Sequence, residues 1–119
     1  MREEVRDPGR LEHILMAIDN VVEFTNGISY EDFIANKQTF YATTYNIQIV
    51  GEAAYMLSNE FKQNHSEVDW AIIEKMRHVI VHGYYKVSYR VVWNVATEDI
   101  PILRPQIKRM LDQCRSNIE

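Results

Sequence analysis

Apolar residues in this chain recur every three or four positions, and no segment gives a convincing period-2 alternation between turn signals. That spacing lines up side chains on one face of an α-helix. The expected fold is therefore all-α, a bundle of five to six helices with short loops. With four glycines and three prolines in the chain, the punctuation is easy to locate. Pro8 and Gly9 precede a helix whose apolar stripe is Leu11, Ile14, Leu15, Ile18 and Val22, with Val21 beside it, and Gly27 supplies the stop. Ser29 followed by Asp32 is a capping-box variant that opens a short helix. A longer pattern, KQTFYATTYNIQIVGEAAYMLSNEF, puts Tyr41, Tyr45, Ile49, Ala53, Met56 and Leu57 on one stripe. Gly51 inside it costs about 1 kcal/mol against alanine, which points to close approach by another helix. Asp69 is placed to cap a helix from Trp70 to about Gly83, and Ser88 to cap the next. Pro101 occupies a first-turn position of the last helix, with Ile102, Leu103, Ile107, Met110 and Leu111 as its stripe.

The 119 residues suit one domain, spanning 1–119, with no visible repeat or linker. A net charge of −4 argues against a protein that coats nucleic acid nonspecifically. The single cysteine, Cys114, excludes an intramolecular disulfide. The first ten residues, MREEVRDPGR, lack the apolar core of a secretory signal, and no apolar run approaches the ~18 residues of a membrane span. A soluble cytoplasmic chain is expected.

Charge and chemistry concentrate in EKMRHVIVHGYYK, residues 74–86. Residues 75–90 hold Lys75, Arg77, Lys86 and Arg90 without a carboxylate, a local +4 that leaves −8 for the rest. Such a patch favours a polyanion at one place while the remaining surface repels loose binding. If one helix runs through the motif, Arg77 and His82 lie on adjacent faces within reach of one ligand. Metal-independent RNA cleavage must take a proton from a 2′-hydroxyl, give one to the leaving 5′-oxygen and stabilise charge on phosphorus. Histidine carries protons near neutral pH, and the arginine fork matches phosphate oxygens. Arg77, His78 and His82 are groups of the required kind. The bland alternatives are concrete. A helical histidine is more often packed or solvated than catalytic, and Arg77 has Glu74 nearby as a potential ion-pair partner. His78 and His82 also have zinc-ligand spacing, with Glu74, His65 or His13 to complete a shell, although no cysteine pair or second histidine pair accompanies them. Cys114 has no evident catalytic partner, Glu52 reads as a buried structural acid or else as a support for a site residue, and Trp70 and Trp93 read as core anchors. No Gly-rich nucleotide-binding loop is present.

RHVIVHGY has the form R-x4-H-x-Y, built from Arg77, His82 and Tyr84. It resembles the HEPN superfamily, and specifically its HepT-like toxins. The ordered segments LEHILMAIDNVVEFTNGISYEDF, NIQIVGEAAYMLSNEF, VDWAIIEKMRH and VVWNVATEDIPIL resemble the same family from Leu11 to Leu111. The resemblance implies a helical bundle that forms a homodimer with one cleft between two motif helices. It implies an endoribonuclease without metal or other cofactor, the toxin of a toxin–antitoxin pair. Its partner would be an MNT-type nucleotidyltransferase antitoxin that transfers AMP to the motif tyrosine, here Tyr84. Carried over, Arg77 and His82 form the catalytic pair, with His78 beside them and base and acid unassigned. Lys75, Lys86 and Arg90 are the candidate RNA-binding cations.

Two positions depart from the pattern. Tyr45 stands where relatives often carry an arginine beside the asparagine, and Tyr85 next to Tyr84 is a second candidate for modification. A second class of function shares the fold and the patch: a non-catalytic binding module that partners a minimal nucleotidyltransferase. A third, an unrelated structural bundle, gives the motif a role in stability alone.

Overall fold

The computed structural model describes residues 6–78 and 88–116. Among them are seven α-helical segments and no strand: α1 (Asp7–Thr25), α2 (Tyr30–Ala35), α3 (Lys37–Tyr55), α4 (Asn59–Asn64), α5 (Trp70–Lys75), α6 (Tyr89–Asn94) and α7 (Ile100–Ser116). A π-helical turn, Val95–Asp99, joins α6 to α7, so these two form one continuous rod and the described chain has six rods. The all-α expectation holds.

Helix starts follow local chemistry. Asn36, Ser58, Asp69 and Ser88 each accept a backbone N–H of the first turn of the helix they precede. Ser29 and Asp32 form a complete reciprocal capping box. Pro8 and Gly9 lie inside the first turn of α1 instead of before it; proline is tolerated there because its missing N–H would have no partner anyway. Gly27, at φ 76°, takes the left-handed conformation that turns the chain after α1. Ser58 divides the long third pattern: its cap starts α4, and its N–H and hydroxyl both donate to Asp7 at 2.9 and 2.7 Å. At the other end, the Ile100 N–H reaches back to Val95 O, a five-residue bond that widens the helix just before Pro101. That widening makes room for a proline that cannot donate in the regular ladder. The last helix is thus a continuation, not a new start.

The core lies between α1, α3 and α7. Leu11, Ile14, Ala17, Ile18 and Val21 of α1 meet Phe40, Ile47, Val50 and Ala54 of α3 and Leu103, Ile107, Met110 and Leu111 of α7. Phe33 is fully buried, with ring centroids 5.1 Å from Trp93 and 5.7 Å from Phe40. Phe40 in turn lies 4.2 Å from Tyr89, so one aromatic cluster ties α2, α3 and α6 together. Burying a side chain of this size contributes about 1.5–3 kcal/mol. Trp70 is buried and donates its indole N–H to His65 O at 2.9 Å. The tryptophans are anchors, as their size suggests.

Three apolar stripes differ from the sequence expectation. In α1, Val21 is buried and Val22 exposed. In α7, Ile100 is buried and Ile102 exposed, because the π turn shifts the angular register before the helix resumes. In α3, Tyr41, Tyr45 and Met56 are more than half exposed, and the buried face runs through Phe40, Thr44, Ile47, Val50, Gly51 and Ala54. Both faces of α3 are apolar, so spacing alone does not select the inner one.

Gly51 sets the closest approach in the bundle. A Cβ built there would overlap the Arg77 backbone nitrogen and stand 2.9 Å from Arg77 Cα and from the Met76 carbonyl carbon. These are backbone atoms, which no rotamer change can move. Gly51→Ala should therefore destabilise the fold by about 1–3 kcal/mol, the usual range for overpacking. Urea unfolding checks this: the midpoint should fall, and an unchanged midpoint would mean that the Met76–Arg77 backbone can yield at the contact.

Candidate active site

The helix carrying the motif is not regular. Asp69 caps α5 through the Ile72 N–H, but α5 ends at Lys75, short of Gly83. The Met76 and Arg77 N–H groups then bond three residues back, to Ile73 O at 3.0 Å and Glu74 O at 3.3 Å. The chain tightens into a 3₁₀-like turn where α3 presses on it at Gly51. The single continuous helix expected through the motif is therefore interrupted at Met76–Arg77, and helical conformation resumes at His78. His82, Tyr84, Tyr85 and Lys86 lie outside the described residues.

Arg77 is half-buried, and its guanidinium carbon sits 3.6 Å from the centroid of the Tyr55 ring. Its Nε–H points toward His78 Nε2 at 3.5 Å, the outer limit of a hydrogen bond. Glu74 is already engaged, its Oε2 2.8 Å from Lys62 Nζ, with side-chain exposures of 27% and 15%. The local ion pair considered for Arg77 is thus made by Lys62. Among the described residues no ion pair engages Arg77. A guanidinium stacked by its face on an aromatic ring keeps its N–H edge for a planar anion. Arg77 and His78 are brought together; Lys75 is exposed at the end of α5. Arg90 is held elsewhere, its guanidinium carbon 3.7 Å from the Tyr30 ring centroid.

The other candidates resolve differently. Glu52 is exposed, not buried, and lines a groove of about 560 Å³ between α1 and α3 with Arg10, His13, Met16, Asn20 and Asn46. One position along a helix points to a different face, so Glu52 does not share the face on which Gly51 meets Arg77. Asn46 is buried, accepts from Asn20 Nδ2 at 3.0 Å and donates to Ala42 O at 2.8 Å. His65 stacks on Phe61 at 4.4 Å and lies 3.6 Å from Glu67. Among the described residues no three histidine, cysteine or carboxylate groups gather as metal ligands. Burial pushes the Cys114 thiol up, helped by the Asp7 carboxylate, so it is protonated at neutral pH and a poor nucleophile.

Tyr55 and Lys62 went unnoticed in the sequence. A signal for Tyr55 existed: it follows Gly51 by four residues, one turn along the same face of α3. Lys62 had none, since its partner lies across a loop.

Among the described residues the helical bundle thus presents an arginine stacked on a tyrosine beside a histidine, with no carboxylate on the arginine. Residues 14–110 match the model of the family described as "Ribonuclease HepT-like". The chain is 38% identical over 103 residues to a provisionally named RNase of Caldanaerobacter subterraneus, covering 87% of this chain and 92% of that protein. It is 38% identical over 100 residues to the "Probable ribonuclease HepT" of Thermococcus cleftensis, covering 84% and 91%. It is 32% identical over 98 residues to a provisionally named RNase of Methanocaldococcus jannaschii, covering 82% and 90%. No solved structure matches the chain at a significant level. The chain belongs to the HepT-like ribonuclease family.

The Lys62–Glu74 pair is less than a third exposed at both ends, so solvent and salt screen it less than a fully exposed pair. Lys62→Ala should cost about 1–3 kcal/mol by leaving Glu74 half-buried without its cation. In a urea double-mutant cycle, Lys62→Ala combined with Glu74→Ala should cost less than the two single changes added together.

Proposed function

We propose that this protein is a metal-independent endoribonuclease that cleaves RNA at the R-x4-H-x-Y motif, as the toxin of a toxin–antitoxin pair. The observation that carries the reading is Arg77: half-buried, stacked on Tyr55, and engaged by no carboxylate among the described residues. Family membership supplies the reaction class. In the proposed mechanism a histidine takes the 2′-hydroxyl proton as the oxygen attacks phosphorus. The 5′-oxygen leaves with a proton from a second acid, giving a 2′,3′-cyclic phosphate and a 5′-hydroxyl. Arg77 clamps the non-bridging oxygens and offsets the charge that builds on them. His82 is one of the proton carriers, and His78, beside Arg77, is the candidate for the other or for orienting the phosphate. Lys75, Lys86 and Arg90 track the flanking backbone of the RNA.

A homodimer brings two copies of His82 to one cleft, so base and acid can come from different subunits. Tyr41, Tyr45 and Met56 support this reading: they form an apolar stripe on α3 that a single chain leaves more than half exposed. The partner is an MNT-type nucleotidyltransferase antitoxin that transfers AMP to Tyr84, or to its neighbour Tyr85. An AMP group adds bulk and negative charge where the substrate phosphate must sit. The chain acts in the cytoplasm, where RNA and ATP are both available, and no described helix is long and apolar enough to cross a membrane.

Unmodified protein should cleave labelled RNA in EDTA and leave cyclic phosphate ends. Folded Arg77→Ala and His82→Ala should each lose at least about a hundredfold, the scale of a lost general acid–base or charge-stabilising group. Equal cleavage by wild type and His82→Ala would sink the mechanism. Tyr45→Asp should shift the particle from dimer to monomer in light scattering while circular dichroism stays helical.

A further inference from the structure

We infer that Tyr55 is a positioning residue for Arg77, a platform that sets the plane of the guanidinium before RNA arrives; this rests on the ribonuclease reading above. Two contacts one helical turn apart on α3 hold the same residue. At Gly51 the α3 backbone seats against the backbone of Arg77, a main-chain contact at the root of the arginine side chain. At Tyr55, four residues on, the ring meets the guanidinium carbon at 3.6 Å. Seat and platform belong to one rigid helix, so the position of Arg77 and the plane of its side chain are set together.

Arginine has one of the most mobile side chains, and ordering it on binding costs entropy. A face-on aromatic partner removes much of that freedom without using any of the five N–H donors. A carboxylate would also restrain the side chain, but it would occupy the donor edge and cancel the charge. Glu74, three residues away, is kept off by Lys62 at 2.8 Å. Tyr55 is 49% exposed, so its ring is not required to fill the core. A largely structural tyrosine would be buried like Phe33 or Phe40, both under 5% exposed. The contact is between ring face and guanidinium, so the ring and not the hydroxyl is the working part.

The inference is tested with three variants in the full chain. Tyr55→Phe keeps the ring, Tyr55→Leu keeps apolar volume without it, and Tyr55→Leu in an Arg77→Lys background removes the group on which the platform acts. Tyr55→Leu should lower kcat about five- to tenfold with little change in KM, the scale of a partly exposed cation–π contact. Tyr55→Phe should stay within twofold of wild type. In the Arg77→Lys background, Tyr55→Leu should add no further loss, and thermal melting should change little. The Arg77 side-chain protons should be shifted upfield by the ring current in wild type and Tyr55→Phe, and not in Tyr55→Leu. Tyr55→Leu at wild-type rate, Tyr55→Phe as slow as Tyr55→Leu, or an undiminished loss in the Arg77→Lys background would each overturn the inference. These outcomes differ from failure of the ribonuclease reading, in which wild-type protein itself leaves RNA intact.

Discussion

The contact between Gly51 and the backbone of Arg77 is the constraint on which the arrangement turns. Helix packing usually separates axes by the width of the side chains between them. Here a helix without a side chain at the contact lets two main chains touch, and the chain that touches is the motif. Its hydrogen bonds shorten to three-residue steps at the same place. Side-chain contacts relax by rotamer change, whereas a backbone contact has no such freedom. The bundle therefore delivers Arg77 with little positional slack, because the element holding it is buried against α1 for much of its length.

Electrostatics then decides what that arginine can do. Two unit charges 4 Å apart interact by about 4 kcal/mol at an effective dielectric of 20. A carboxylate on Arg77 would therefore compete strongly with a phosphate for the same donors. Glu74, the nearby acid in the sequence, is claimed by Lys62 from α4, and Arg77 is restrained by an uncharged ring. Arg90 repeats the device on Tyr30. In a chain of net charge −4, stacking two arginines on tyrosines preserves local positive charge that ion pairing would erase.

The helices were legible because their starts depend on short-range chemistry. Ser29, Asp69 and Ser88 cap through bonds that span three residues, and the sequence displays both partners. Gly51 was legible for a related reason: a glycine in mid-helix is costly enough to need a tertiary cause. The faces were less legible. Val21 and Val22 are equally apolar, and only the angle of α1 against its neighbours chooses Val21. In α3 the tyrosine stripe obeyed the helical period yet lies outside, while buried Thr43, Thr44 and Asn46 occupy positions that polarity would assign to the surface. The interruption at Met76–Arg77 carries no proline or glycine of its own. Its correlate is Gly51, 25 positions earlier, and local pattern reading cannot connect the two.

The motif is subject to the same long-range contact. R-x4-H-x-Y names residues at a spacing, and on a regular helix that spacing would place Arg77 and His82 on neighbouring faces. The turn at Met76–Arg77 departs from that premise, because a three-residue step winds the chain about 20° further per residue than an α-helix does. A spacing motif is therefore informative about which residues act only together with the contacts that bend the helix bearing them. In this protein those contacts come from one face of α3: the missing side chain at Gly51 and the ring of Tyr55, neither of which is part of the motif.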